Sequence, residues 1–243
     1  MTKGIIILLA LIGIWQQSFA QHIEFKDSLF KNSLLAVELG IDLNNNNEIE
    51  FSEAEIVTIL EINNKGITNI SEIKFFKNLV ELKCYDNKID SLIIQDLHKL
   101  KEINCRTNNL SYLKLERLNS LEELIAGMNQ LSSVEIYDCP NLKVLYLQEN
   151  KLTNLDLTKF PLLEHLIISN NELTTIDTSP NPELVQITVD YNHIKVLDIR
   201  KNLKIKYIYV DDNVKRIMTD DQKKNSPFLT KPPVQMAPPP AGN

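Results

Sequence analysis

The chain has little of what catalysis usually requires. Its 243 residues include four histidines, His22, His98, His165 and His193, and none has zinc-ligand or triad-like spacing. Only six residues are glycine. There is no phosphate-binding loop, nucleophile elbow or Cys–His motif. Three cysteines, Cys84, Cys105 and Cys139, make an odd count, which argues against a disulfide scaffold. Basic residues number 26 against 32 acidic, with no basic patch interleaved with aromatics, so no nucleic acid partner is expected. No basic amphipathic helix is present to hold a membrane surface. Enzymatic activity is therefore a remote alternative.

One long hydrophobic run is present, at the start: MTKGIIILLALIGIWQQSFA. Lys3 is a short basic region, residues 4–15 are apolar, and Ser18 and Ala20 are small residues ahead of Gln21. This is the pattern of a secretory signal peptide over residues 1–20. The run is short for a membrane span, which needs about 20 residues. No cysteine follows it to carry a lipid. Loss of Lys3 takes the net charge from −6 to −7. The expectation is a secreted protein (extracellular, cell-surface or periplasmic) with no membrane insertion after signal removal.

What is abundant is a period. Asn87, Asn108, Asn129, Asn150, Asn171, Asn192 and Asn213 stand 21 residues apart without a skipped register. Apolar rows keep the same spacing: Leu79, Leu100, Leu121, Leu142, Leu163, Leu184, Ile205; and Leu82, Ile103, Leu124, Leu145, Leu166, Ile187, Ile208. A third row reads Cys84, Cys105, Ala126, Leu147, Ile168, Val189, Val210. Cys139 falls in register with Leu97, Leu118 and Phe160, so all three cysteines read as buried small hydrophobes. A fixed period over most of a chain means a stack of equal turns. Leu82 and Cys84 alternate with Glu81, Lys83 and Tyr85, a strand with one buried face. Each turn reads as a short strand, a corner at the asparagine and an extended return. One turn cannot stand alone and needs its neighbours. An asparagine side chain both donates and accepts, so a stacked row can satisfy backbone groups of adjacent corners. The asparagines are thus a structural ladder.

The unit LxxLx(C/L)xxNxLxxLxL resembles the leucine-rich repeat family, in the short form of bacterial internalin-like proteins, over residues 57–218. The resemblance implies a leucine-rich repeat solenoid of the α/β horseshoe class. Its strands are mostly parallel, its convex side extended or 3-10, and its N-terminal cap short and helical. A half-turn at Leu60, Ile62, Ile67 and Ile70, with Lys65 in place of asparagine, precedes seven full repeats, giving about eight strands. The domains expected are a helical cap over 21–59, repeats over 60–218 and a disordered proline-rich tail over 219–243. That tail holds six of the ten prolines. Phe25, Leu29, Phe30, Leu34 and Val37 suggest one apolar face of a first cap helix ending at Gly40, and a second helix is expected over 52–60.

Between those helices, DLNNNNEIEFSE at 42–53 resembles a calcium loop of the EF-hand type. Asp42, Asn44, Asn46, the Glu48 carbonyl, Glu50 and a bidentate Glu53 fall at ligand positions. Asn47 stands where the motif has glycine. One Ca2+ is expected, as a structural staple, although internalin-like caps resemble EF-hands that have lost their metal.

Positions between the leucines face out of the strand sheet. The N-terminal half is charged, with Glu81, Glu102 and Glu123 stacked. Farther along, Ile125, Val144, Tyr146, His165, Ile167, Tyr207 and Tyr209 form a tyrosine-rich apolar strip. Leucine-rich repeat proteins generally bind on this concave face, so the resemblance implies a protein or peptide ligand. A calcium-stabilised cell-surface adhesion or structural protein is the alternative.

Overall fold

A computed structural model describes residues 22–36 and 39–224. The signal-peptide reading at 1–20 and Val37 lie outside them, as does most of the proline-rich tail.

Two short helices form the cap, α1 (Ser28–Leu34) and α2 (Phe51–Ile56). The first is shorter than the apolar spacing suggested because Asp27 starts it. Its Oδ1 accepts the Leu29 and Phe30 amides at 2.7 and 3.2 Å, the geometry of an N-cap. Phe30 and Leu34 are buried as expected, but Leu29 is 45% exposed and belongs to the outer face. The second helix stops at Ile56, short of the expected 60, because Ile59–Glu61 joins the sheet instead.

The strands in chain order are β1 (Ile59–Glu61), β2 (Glu81–Lys83), β3 (Ser91–Gln95), β4 (Glu102–Asn104), β5 (Tyr112–Glu116) and β6 (Glu123–Ile125). They continue as β7 (Glu135–Tyr137), β8 (Val144–Tyr146), β9 (His165–Ile167), β10 (Gln186–Thr188), β11 (Val196–Asp198), β12 (Tyr207–Tyr209) and β13 (Lys215–Ile217). One eight-stranded parallel sheet runs β1-β2-β4-β6-β8-β9-β10-β12, as the half-turn and seven repeats require. The return side carries the three-stranded sheet β3-β5-β7, then a 3-10 turn at Leu157–Lys159, then the pair β11-β13. The leucine rows and all three cysteines form one continuous buried core between the two sides. The cysteines are free, and burial pushes the Cys105 thiol up to about 12 and Cys139 up to about 11.

The corner ladder is built as the chemistry of asparagine demands. The Asn129 amide donates to the Cys105, Ala126 and Gly127 carbonyls, each at 3.1 Å, and its Oδ1 accepts the Leu110 N–H at 3.0 Å. Two of those four partners belong to the preceding turn, so each asparagine ties its own corner to the one before. Asn87 does this for the half-turn, accepting the Lys65 and Ile67 amides, so Lys65 is not needed as a ladder member. Asn213 departs from the expected ladder. It is exposed, and Asp211 takes over, its carbonyl accepting the Val214 N–H and its carboxylate the Tyr191 N–H. The stack thins here, and no further described turn covers this corner.

The boundary expected at 218 also moves. Asp220–Lys224 form a short helix, α3, rather than the start of a disordered tail. Thr219 and Gln222 cap each other reciprocally at 2.8 and 3.2 Å. The Gln222 amide then donates to the Ile199 and Asn202 carbonyls, one turn on from Asn202, which serves Thr178 and Asn181. A second, shorter amide column thus closes the convex side of the last turns.

Candidate binding face and cap loop

The eight parallel strands bring the outward residues into two aligned columns. Register pairs Glu81 with Glu102, Glu102 with Glu123, then Val144, His165, Gln186 and Tyr207 in succession. The neighbouring column runs Glu61, Lys83, Asn104, Ile125, Tyr146, Ile167, Thr188, Tyr209. The seven residues expected as a binding strip therefore lie on one surface, adjacent strands being ~4.8 Å apart. Their exposure differs. Ile125 is only 7% exposed and forms floor rather than contact surface, flanked in register by Asn104 and Tyr146. Val144, Tyr146, His165, Ile167 and Tyr209 are half-buried, and Tyr207 is exposed, standing on the last strand of the sheet. Burial pushes the Tyr146 hydroxyl above its ordinary value, with the Glu123 charge adding to it.

The N-terminal half is electrostatically different. Lys83 pairs with Glu61 at 2.9 Å and with Glu81. Glu102 and Glu123 are raised by burial first and by neighbouring glutamate charge second. Like charges directly opposite on paired strands destabilise a sheet.

A third column flanks the strip: Tyr85, Arg106, Gly127, Gln148, Ser169, Asp190 and Asp211. The 21-residue spacing alone gives this column no distinction; its side-chain packing does. Arg106 Nε, Gln148 Oε1 and Asp190 Oδ1 are each buried and have no hydrogen-bond partner. The Arg106 guanidinium lies 5.1 Å from the Tyr85 ring centroid, a cation–π contact. At Gly127 a Cβ would meet the Gln148 side chain at 2.6 Å, so the missing side chain makes the notch in which that amide lies.

In the cap, Asp42 Oδ1 and Oδ2 accept the Asn46 and Asn47 amides at 3.2 and 3.0 Å. Asn47 adopts φ +64°, the left-handed turn that the glycine position demands. Asn44 and Asn46 donate from Nδ2 to Glu50 Oε1 at 3.2 and 2.6 Å. Glu53 accepts the Leu43 and Glu50 amides at 2.7 and 2.9 Å, and Glu50 caps α2. Burial and the adjoining Glu50 push Glu53 up, while Glu53 and the Asn46 amide hold Glu50 down. The Glu48 side chain turns away, to Lys31 at 2.7 Å. Among the described residues no three acidic, histidine or cysteine side chains converge as a ready-made cation cage. The loop is tied into the fold by the Ile23 N–H, which donates to the Ile49 carbonyl at 2.8 Å. Asp27 was not anticipated as a cap residue, yet its Oδ2 accepts the Thr68 amide, the Thr68 hydroxyl and the Asn69 amide at 2.6, 2.7 and 3.1 Å. It joins the cap to the first turn. An Asp just before an apolar helical run was the available signal.

A family profile described as Leucine Rich repeats (2 copies) matches residues 119–161. The functional domain of InlJ from Listeria monocytogenes, described as including a cysteine ladder, aligns with TM-score 0.66 and 26% identity over 73% of this chain and 39% of that one. The leucine-rich repeat domain of APL1B aligns with TM-score 0.58 and 22% identity over 69% of this chain and 50% of that one. The LRIM1/APL1C complex gives 0.55 and 22%, over 70% and 38%. No curated protein matches the chain. The chain spans half or less of the length of these solved structures.

Proposed function

We propose that this chain, a leucine-rich repeat solenoid, is a non-enzymatic scaffold that binds a protein or peptide partner on its concave sheet. The observation that carries the reading is the coincidence on one face of two features. One is the half-buried apolar strip of Val144, Tyr146, Ile167 and Tyr209. The other is the flanking column with unpaired polar atoms on Arg106, Gln148 and Asp190. An apolar centre rimmed by polar groups is the composition of a protein contact. Buried polar atoms without partners cost stability in the free protein, and a partner's donors and acceptors would satisfy them once those side chains turn outward. The fold agrees, since one solved relative, LRIM1/APL1C, is a complex of proteins.

The N-terminal apolar run supports export, and with it a location outside the cell or in a periplasm. No helix among the described residues is long and apolar enough to cross a membrane. An ion in the 42–53 loop would serve such a scaffold as a staple, since the sequence offers one such loop.

The test is a Tyr146→Ser, Ile167→Ser double variant. Binding of a protein partner, first isolated by its affinity for the parent chain, should weaken at least ~10-fold, about 1.4 kcal/mol. A matched pair on the convex side, Tyr112→Ser with Tyr137→Ser, should bind like the parent. Unchanged binding by the concave variant sinks the reading.

A further inference from the structure

We propose that the 42–53 loop binds one calcium ion through direct contact with both Glu50 and Glu53, and that the ion ties together the loop, the start of α2 and the 22–23 segment of the cap. This goes beyond the concave-face reading and stands on different residues. Glu50 is 4% exposed, and its carboxylate is turned into the loop, where Oε1 receives both asparagine amides. Its other oxygen, Oε2, is buried with no hydrogen-bond donor on it. Glu53, also 4% exposed, adjoins it. Two buried carboxyls in one corner are relieved by a shared proton or by a cation, and the orphaned Oε2 is the atom a cation would meet. Lys31, the cation placed against this loop, is held by Glu48 on its outer side.

The oxygens that the loop's spacing offers beside the two glutamates are all hard: the side chains of Asp42, Asn44 and Asn46 and the Glu48 carbonyl. That number and type suit calcium, which takes 6–8 oxygens in flexible geometry, better than magnesium, which demands a near-ideal octahedron. The ion would take the place of the two amide N–H groups on Glu50, and Asn44 and Asn46 must turn to present oxygen. That rearrangement, and the neutral character of both amides, place the affinity at the weak end, on the order of 10⁻⁴–10⁻³ M, where extracellular calcium modules work. The mechanical consequence follows from the bonds already present. Glu53 bridges the Leu43 and Glu50 amides, and the Ile49 carbonyl takes the Ile23 N–H. Fixing both glutamates on one ion therefore fixes the loop, the start of α2 and the 22–23 segment together.

The experiment is calorimetric titration of the chelator-treated full chain with calcium chloride and, separately, magnesium chloride, with Glu50→Gln, Glu53→Gln and Glu48→Gln in parallel. The parent should take up one equivalent of calcium, and its thermal midpoint should rise by a few degrees at ~10 mM calcium. Glu50→Gln and Glu53→Gln should each lose at least ~10-fold in affinity, whereas Glu48→Gln, which keeps its carbonyl, should bind as the parent does. If Glu53→Gln fails to fold, Glu50→Gln decides alone. A parent that shows neither heat nor a midpoint shift at ~20 mM calcium overturns the proposal, as does parent-like binding by Glu50→Gln. Neither result touches the concave face, which the Tyr146 and Ile167 variant tests separately.

Discussion

The corner and the outward face of this solenoid share one 21-residue clock and obey different rules. At the corner, six turns in a row carry the same residue making the same bonds, from Asn87 to Asn192. On the outward face the same register step changes Glu123 into Val144 and Ile125 into Tyr146. The difference is physical. A side chain that satisfies the backbone of the turn before it has one acceptable chemistry. A side chain facing solvent has many, so identity there is free to encode a partner.

The contrast can be broken most sharply at the ladder. Asn129→Leu strands four buried backbone groups and should cost about 3–5 kcal/mol in urea unfolding. Asn213→Ala, at an exposed position outside the ladder, should stay within ~0.5 kcal/mol. Equal losses would show that the two asparagines are not different in kind. Next in size is the cap joint. Asp27→Ala removes an N-cap and three bonds to the first turn, a loss of about 2–3 kcal/mol. Burial alone would raise the Asp27 carboxyl, but the Thr68, Leu29 and Phe30 donors outweigh it and hold it below 3.8. Its stabilisation is therefore present above that value and is lost as pH falls through the folded value below it. The parent's advantage over Asp27→Ala in thermal melts should shrink only under those acid conditions; an advantage constant down to pH ~2 would contradict the charge-based account.

The outward face should respond weakly, and in the opposite direction. Glu102→Gln relieves stacked like charge and should gain on the order of 0.5 kcal/mol near neutral pH. Because Glu102 is raised above 4.5, its destabilising charge is fully present above the folded value and is relieved as pH falls toward 4.5. The variant's advantage should therefore fade on acidification, and a variant less stable than the parent at pH 7 would refute the repulsion.

The legibility of the sequence follows the same division. The eight strands, their register and the inward rows were readable because burial of one face imposes a period. Asn213, Leu29 and the boundary at 218 were misread because ends escape that rule: no described turn follows to enforce the corner, and capping by Asp27, Thr219 and Gln222 sets the limits instead. Glutamine at 222 carries on the amide column begun by Asn181 and Asn202, one residue short of the 21-residue step, so counting alone would miss it. On the binding face, the columns were legible but their exposure was not. Ile125 is floor because its neighbours crowd it, and the orphaned atoms of Arg106, Gln148 and Asp190 depend on side-chain placement that no periodicity encodes.

The central claim, that specificity resides on the outward concave columns, is tested most directly by photo-crosslinking at two single positions. A photoreactive residue is placed at Tyr146 on the concave sheet or at Tyr137 on the convex side, and the chain is exposed to the surroundings of the cells that make it. Capture of one defined protein at 146, competed away by excess unlabelled chain and absent at 137, is the predicted result. Equal capture at both positions, or saturable capture at 137 alone, would contradict the account.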